Sequence, residues 1–357
     1  MYDPKDFKKY QFLDSIEGVP ELEELKNQSL FVRVRNYFPG IMVCLVITLA
    51  AQFLSAHYTA PVMLMALLMG MSLNFLSQEA PTKLGVEYTS QSILRAGVVL
   101  IGARIVFEDF VALGAAGIGL VITATILVII ASLICTKALG LGKEQGLLIG
   151  GATAICGASA ALAISSVLPK SDSLEQNTLL AVLGVTAMGT LAMIVYPVII
   201  GFLGYDDHQA GLLIGGAIHD VSQVVGAGYS ISTEAGDTAI LIKLMRIFLL
   251  IPLLFVFAYA FKAKEQDATN KKLPIPLFLA GFFVLMVLNS FHLLPQNILD
   301  VLEYTSKWFL IMAITAVGMK TSLKAVFSLG WRPFVLIFVD TLFIALLYFL
   351  AIAFAIV

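Results

Sequence analysis

Two short stretches carry polar side chains able to hold a small ion in an apolar setting. Residues 153–159 read TAICGAS and offer Thr153, Cys156, Gly157 and Ser159. Residues 219–223 read HDVSQ and offer His219, Asp220, Ser222 and Gln223. The same heptapeptide, GLLIGGA, precedes both, at 146–152 and 211–217. Each glycine weakens a helix by about 1 kcal/mol relative to alanine. The pairs Gly150–Gly151 and Gly215–Gly216 are therefore the expected helix-break points. A broken helix exposes free N–H groups and the positive end of its dipole, a setting for an oxyanion. Thr153, Ser159 and Ser222 add hydroxyl donors and Gln223 an amide. An unperturbed histidine titrates near neutral pH, so His219 could couple binding to protons. A histidine that only hydrogen-bonds two helices together is the plainer reading of the same residue.

The charges in apolar surroundings are mostly cationic. Arg95, Arg104, Lys243, Arg246 and Lys320 lie within or at the ends of apolar runs, against Asp220 and a second candidate acid, Asp340. Such charges cost several kcal/mol and mark function by default. Arg104 and Lys320 stand near segment ends and could snorkel to the interface. Arg95 comes early in its segment and could anchor there. Lys243 and Arg246, three residues apart, share a helix face; their place near an outer segment end also suits interfacial anchoring. Asp220 could neutralise one of these cations, or carry a proton or a sodium ion.

Enzyme chemistry finds little support. GASAA at 157–161 lacks the last glycine of a nucleophile elbow, and no strand precedes it. There is no HExxH, no P-loop and no Cys/His cluster. Cys44, Cys135 and Cys156 all fall in or beside apolar runs without a CxxC pair. No metal, organic cofactor or nucleic-acid partner is expected.

The elements that must position these residues are membrane helices. Hydrophobic residues make up 59% of the 357 residues and charged ones 13%, against about 25% charged in soluble domains. Mean hydropathy is +0.93. Roughly 20 apolar residues cross a bilayer as a helix. Eleven segments are expected, near 38–56, 60–76, 91–107, 110–136, 146–168, 177–203, 209–230, 237–261, 274–294, 302–320 and 332–356. Residues 1–36 read as a cytoplasmic amphipathic lead-in on the membrane surface, and 37–357 as the membrane domain. The polar start is the wrong order for a secretory leader. Lysines and arginines crowd alternate connections: Lys83, Lys137, Lys143, Lys262, Lys264, Lys271, Lys272, Lys324 and Arg332 on one side. The other side holds only Lys170, with acids such as Glu234 and Asp237. This bias predicts a cytoplasmic N-terminus and an outer C-terminus. Segments 146–168 and 209–230 either span or re-enter from opposite faces; both fit the charge count. Residues 102–114 also echo 318–330 in opposite orientation, the pattern of an inverted repeat.

Four motifs in order, LRAGVVLIGARI (94–105), ICGASAALA (155–163), IHDVSQVVGAG (218–228) and IKLMRIFLLIP (242–252), resemble the bacterial YeiH-type family. Its members carry a provisional description as sulfate exporters. The resemblance implies a bacterial inner-membrane protein, distantly similar to inverted-repeat transporters with broken helices that form homodimers and move by an elevator-like or rocking shift. The expectation is an all-α polytopic secondary transporter. It would carry a sulfate-like oxyanion or sulfonate between two broken or re-entrant helices, driven by a Na+ or H+ gradient. The alternatives are a cation–proton antiporter using Asp220, an anion channel, and a membrane sensor or scaffold without transport.

Overall fold

The computed structural model describes residues 30–58, 60–77, 79–169, 171, 173–261, 277–321 and 331–354. Its regular structure there is helical throughout. In chain order the helices are α1 (Leu30–Tyr58), α2 (Val62–Ser72), α3 (Ala80–Tyr88), α4 (Leu94–Ile101), α5 (Phe107–Ala112), α6 (Gly114–Ala138), α7 (Lys143–Ala154) and α8 (Ala158–Ser165). They continue as α9 (Leu174–Leu203), α10 (Asp207–Ala217), α11 (Val221–Ile231), α12 (Thr233–Phe248), α13 (Leu250–Phe261), α14 (Leu277–Ser290), α15 (Gln296–Lys320) and α16 (Trp331–Ala353). A π-turn at Thr89–Ile93 joins α3 to α4. Among the described residues, five helices are long and apolar enough to cross a membrane alone: α1, α6, α9, the continuous pair α12–α13, and α16.

The helices sort into two bundles. In the first, α1, α2, α3–α4, α14 and α15 pack on one another; in the second, α6 to α12 and α16 do so. Small residues let the backbones approach. Gly70 of α2 lies against Thr315 and Gly318 of α15, where any added Cβ would meet main chain. Between the bundles the main contacts run from α11 to α2 and α15.

The second bundle holds two helical hairpins. A side chain added at Gly151 of α7 would collide with Ile164 of α8, and Ser171, beyond α8, donates to Glu144 at the start of α7 at 2.8 Å. The two helices therefore lie side by side and return to the face they left. A straight broken helix would hold residues 151 and 164 about 20 Å apart. The second pair behaves alike. Gly211, early in α10, and Gly228, late in α11, both pack against the first turns of α12, at Ala235–Thr238 and Gly236–Ala239. Thus α10 and α11 also form a hairpin.

The 30-residue α9 links the hairpins. At 1.5 Å per residue it is about 45 Å long, enough to cross the hydrocarbon core of about 30 Å. The hairpins therefore enter from opposite faces. Below, the first face is that of Lys143, and the second that of Asp207. Capping fixes the entries: Asp206 accepts from Gln209 N–H at 2.8 Å and makes a capping box at α10, while Gly204 (φ +67°) closes α9 in the left-handed conformation.

One expectation changes and one open alternative closes. Residues 146–168 and 209–230, read from sequence as either spans or re-entrant segments, are re-entrant hairpins. Of the lead-in expected over 1–36, residues 1–29 lie outside the described residues, and Leu30–Asn36 form the first part of α1. The paired glycines do not break their helices. Gly150 and Gly151 lie inside α7, and Gly215 and Gly216 inside α10. They serve close packing instead, against Ser132, Ile164, Ala239 and the Tyr348 ring in turn. The actual breaks follow, at 155–157 and 218–220. The copy at 318–330 falls mostly outside the described residues.

Candidate functional site

Each hairpin tip is built by residues that cannot continue a helix. In the first, Ile155 leaves helical geometry at φ −119°, ψ −85°, and Gly157 takes φ +66°, ψ −127°. That region is open essentially to glycine alone. In the second, Ile218 turns extended and Asp220 becomes the N-cap of α11. The tips touch: a Cβ on Gly157 would stand 3.8 Å from the His219 carbonyl and 3.9 Å from Asp220 Cβ.

Four helix ends thus converge inside the protein, and the sequence supplies a distinct answer to each. The carboxyl ends of α7 and α10 present unpaired carbonyls and partial negative charge. Lys243 and Arg246, near the middle of the continuous pair α12–α13, take them up. Arg246 Nη2 donates to Thr153 O at 2.6 Å and Nε to Ala154 O at 2.9 Å; Nη1 donates to Gly215 O at 3.1 Å and Ile218 O at 2.8 Å. Lys243 Nζ donates to Ile155 O at 2.5 Å and Ile218 O at 3.0 Å. Both side chains are 0% exposed. One pair of cations pins both tips together. Hydrogen bonds from charged donors are roughly twice as strong as neutral ones, and they offset the cost of burying the charge.

The amino ends differ from each other. At α11, Asp220 accepts from Ser222 N at 2.8 Å and from Ser222 Oγ at 2.5 Å. Gln223 Oε1 accepts from Asp220 N–H at 3.3 Å, completing the capping box. At α8 no side chain caps the helix. Its first residues, Ala158 and Ser159, are half-buried, as is Asp220, in a region otherwise closed. His219, fully buried, lies 2.9 Å from Thr341 Oγ1 through Nε2. The Thr341 hydroxyl donates to Ile337 O at 2.7 Å, so the imidazole N–H is the donor between the two. Among the described residues, His219 Nδ1 and Thr153 Oγ1 are buried without a hydrogen-bond partner.

Of the residues singled out from sequence, Thr153, Cys156, Gly157, Ser159, His219, Asp220, Lys243 and Arg246 meet at or beside the tips. Cys156 and Asp220 are within electrostatic reach of Lys243. Ser222 serves Asp220, and Gln223 turns away to α9, donating to Thr186 O at 2.9 Å and Thr190 Oγ1 at 3.1 Å. Lys243 and Arg246 are not interfacial anchors; α12 starts at Thr233 and carries them to the centre.

Three other cations lie elsewhere. Arg95 is exposed on α4. Arg104 pairs with Asp237 at 2.9 Å and Glu303 at 3.1 Å. Lys320 pairs with Glu87 at 2.6 Å. Neither of these last two snorkels alone or faces the tips. Glu87 escaped notice because it falls in a stretch that reads as a connection; in the structure it is buried in α3.

Charge bookkeeping at the tips then becomes simple. Two cations face one carboxylate, leaving one positive charge in excess. Two carboxyl and two amino helix ends of about half a charge each cancel. This cationic balance lies beside the uncapped amino end of α8.

Comparisons with known proteins fit this picture of a membrane protein. A family model described as conserved hypothetical protein 698 matches residues 39–337. The UPF0324 membrane protein of Chlorobaculum tepidum is 42% identical over 323 residues, covering 90% of each chain. The UPF0324 membrane protein TauZ of Paracoccus denitrificans is 45% identical over 312 residues, 86% of this chain and 92% of that one. The UPF0324 inner membrane protein YeiH of Escherichia coli K12 is 34% identical over 256 residues, 70% of this chain and 72% of that one. No solved structure matches. The chain belongs to this YeiH-type family of membrane proteins.

Proposed function

We propose that this YeiH-type membrane protein is a secondary transporter of a small anion, a sulfate-like oxyanion or a sulfonate, bound between its two hairpin tips. The observation that carries the proposal is the meeting of two re-entrant hairpins from opposite faces around one excess positive charge. Irregular backbone is tolerated at membrane depth where it is buried or lines a water-filled cavity. Here it coincides with a half-exposed hydroxyl residue, Ser159, at an uncapped helix start. Amide N–H groups there and the Ser159 side chain would receive the anion, with Lys243 and Arg246 supplying the field from behind.

Movement belongs to the second bundle. It packs on the first chiefly through α11, so the hairpin of the second face rests on the first bundle in this state. Sliding the second bundle would carry both tips, and the anion between them, from one face to the other. An inner-membrane setting with a cytoplasmic N-terminus is part of the proposal, as is drive by a proton or sodium gradient.

The test is flux of labelled sulfate or sulfite into proteoliposomes, with and without a pH or sodium gradient. Gradient-driven accumulation supports the reading; folded protein that moves none of these anions removes it. A cation–proton antiporter remains the second reading, because Asp220 is half-buried at the tips. Its Oδ1 is engaged by Ser222, which argues for a capping role. Sodium-dependent proton flux lost in Asp220→Asn, with no anion flux in wild type, would decide for the antiporter.

A further inference from the structure

A buried acid outside the tips has no role in this reading. Asp340 is the tenth residue of α16 and is 0% exposed. Nine residues of helix place it about 14 Å from the start of α16, near the middle of a hydrocarbon core of about 30 Å. Among the described residues neither of its carboxyl oxygens has a hydrogen-bond partner, and it enters no ion pair.

The surroundings explain why. Helix α16 packs on α6, α7, α9 and α10. From α6 the Ser132 hydroxyl lies beside the carboxyl and the Cys135 thiol is within its electrostatic reach. Ser132 spends its only proton on Gly146 O of the first hairpin, at 3.0 Å. The other charged groups of these elements stand at helix ends: Lys137 on α6, Lys143 and Glu144 on α7, Glu175 on α9, Asp207 and His208 on α10, and Arg332 on α16 itself. Tyr196 of α9 and Tyr348 of α16 are the remaining titratable groups, and Tyr348 lies against Gly216. At the tip, His219 is bonded to Thr341, the residue after Asp340. Ser132 is the one hydroxyl in reach of Asp340, and with its proton on Gly146 O no other group of these elements donates to the carboxyl. An ionised carboxyl so placed costs several kcal/mol, whereas a carboxylic acid is itself a donor and suits neighbours that can only accept.

We propose that Asp340 is a proton-binding site and that its proton is the coupling ion of transport. The coupling half rests on the transporter reading above. Binding forms the carboxyl O–H bond from a proton of water; release breaks it and returns the proton to water when the packing of α16 on the first hairpin opens. Asp340 touches the first hairpin's packing partner, and Thr341 holds the tip of the second, so the proton and both hairpins bear on one helix turn.

The experiment uses Asp340→Asn, which keeps size and hydrogen-bonding capacity but cannot ionise. In proteoliposomes, labelled sulfite exchange without a pH gradient is expected to persist, while accumulation driven by a pH gradient falls to the level of empty vesicles. Unchanged pH-driven accumulation in the variant would overturn the proposal. Infrared difference spectra of wild type and variant give a second readout that needs no substrate. A protonated-carboxyl band present in wild type and missing in the variant is expected; its absence from wild type would refute proton binding. If wild type carries no anion yet shows the band, the transporter reading fails and the proton site stands.

Discussion

Arg246 donates to four carbonyls from two hairpins, and no other cation could copy that arrangement. Its planar fork reaches Thr153, Ala154, Gly215 and Ile218 at once; a lysine has three donors on one atom and no fork. Removing one partner of a buried charged network costs about 3–5 kcal/mol. Arg246→Ala is therefore expected to lower the unfolding temperature in detergent sharply, with Arg246→Lys in between. Wild-type stability in Arg246→Ala would mean the tips do not depend on this residue. Gly157 gives a subtler case. A methyl group there meets only ordinary contacts at 3.8–3.9 Å, so the cost of Gly157→Ala is backbone strain, about 1–3 kcal/mol. Loss of flux with modest loss of stability is expected; full activity would show that the tip relaxes freely. Sequence reasoning picked out Lys243 and Arg246 by their spacing and Gly157 by its setting. It could not see that the cations bind carbonyls, because a backbone carbonyl leaves no mark in the residue alphabet.

At the scale of elements, the repeated heptapeptide made both hairpins legible as a pair. Their folding back was not, since a hairpin and a span of equal length share composition. The distinguishing contact, Gly151 on Ile164, joins residues on two arms whose returning geometry sequence period alone does not reveal. Gly216→Leu should show this packing at work. It drives a side chain into the Tyr348 ring, and overpacking of a dense interior typically costs about 1–3 kcal/mol. Reduced thermal stability is expected, restored in part by Tyr348→Ala; no rescue would place the clash elsewhere.

The bundles are joined on the second face by a further device. Arg104 follows α4 of the first bundle and pairs with Glu303 of the same bundle, but also with Asp237 of α12. Tyr229 of α11 donates to the same Asp237 at 2.7 Å. This ion pair links the two bundles on the second face. Exposed pairs contribute only about 0.2–1 kcal/mol, so Arg104→Ala should shift the balance between states by less than about fivefold. The measurement is disulfide cross-linking of an Arg104→Cys, Asp237→Cys pair in the absence and presence of anion. Cross-linking that traps the protein and stops flux is expected; a cross-linked protein that transports at the wild-type rate would show that the bundles do not part here.

For the whole molecule, composition alone established the membrane setting, and the positive-inside pattern is consistent with the hairpin fold. Exchanging two spans for two re-entrant pairs preserves the orientation of every element outside 169–208. Within that stretch the connection near Ser171 returns to the face of Glu144, and Asp206 and Asp207 take the opposite one. The division into two bundles was not legible, because it rests on which helices pack together rather than on what any helix contains. In the transporter proposed above, that division is what would let a polar centre act as a carrier. The claim is tested most directly by counterflow in proteoliposomes: vesicles loaded with excess unlabelled sulfite are diluted into trace labelled sulfite. A carrier with one site between two hairpin tips predicts a transient internal accumulation of label above equilibrium, lost in Lys243→Met. Label that only equilibrates, in wild type shown to be folded, would contradict alternating access at this site.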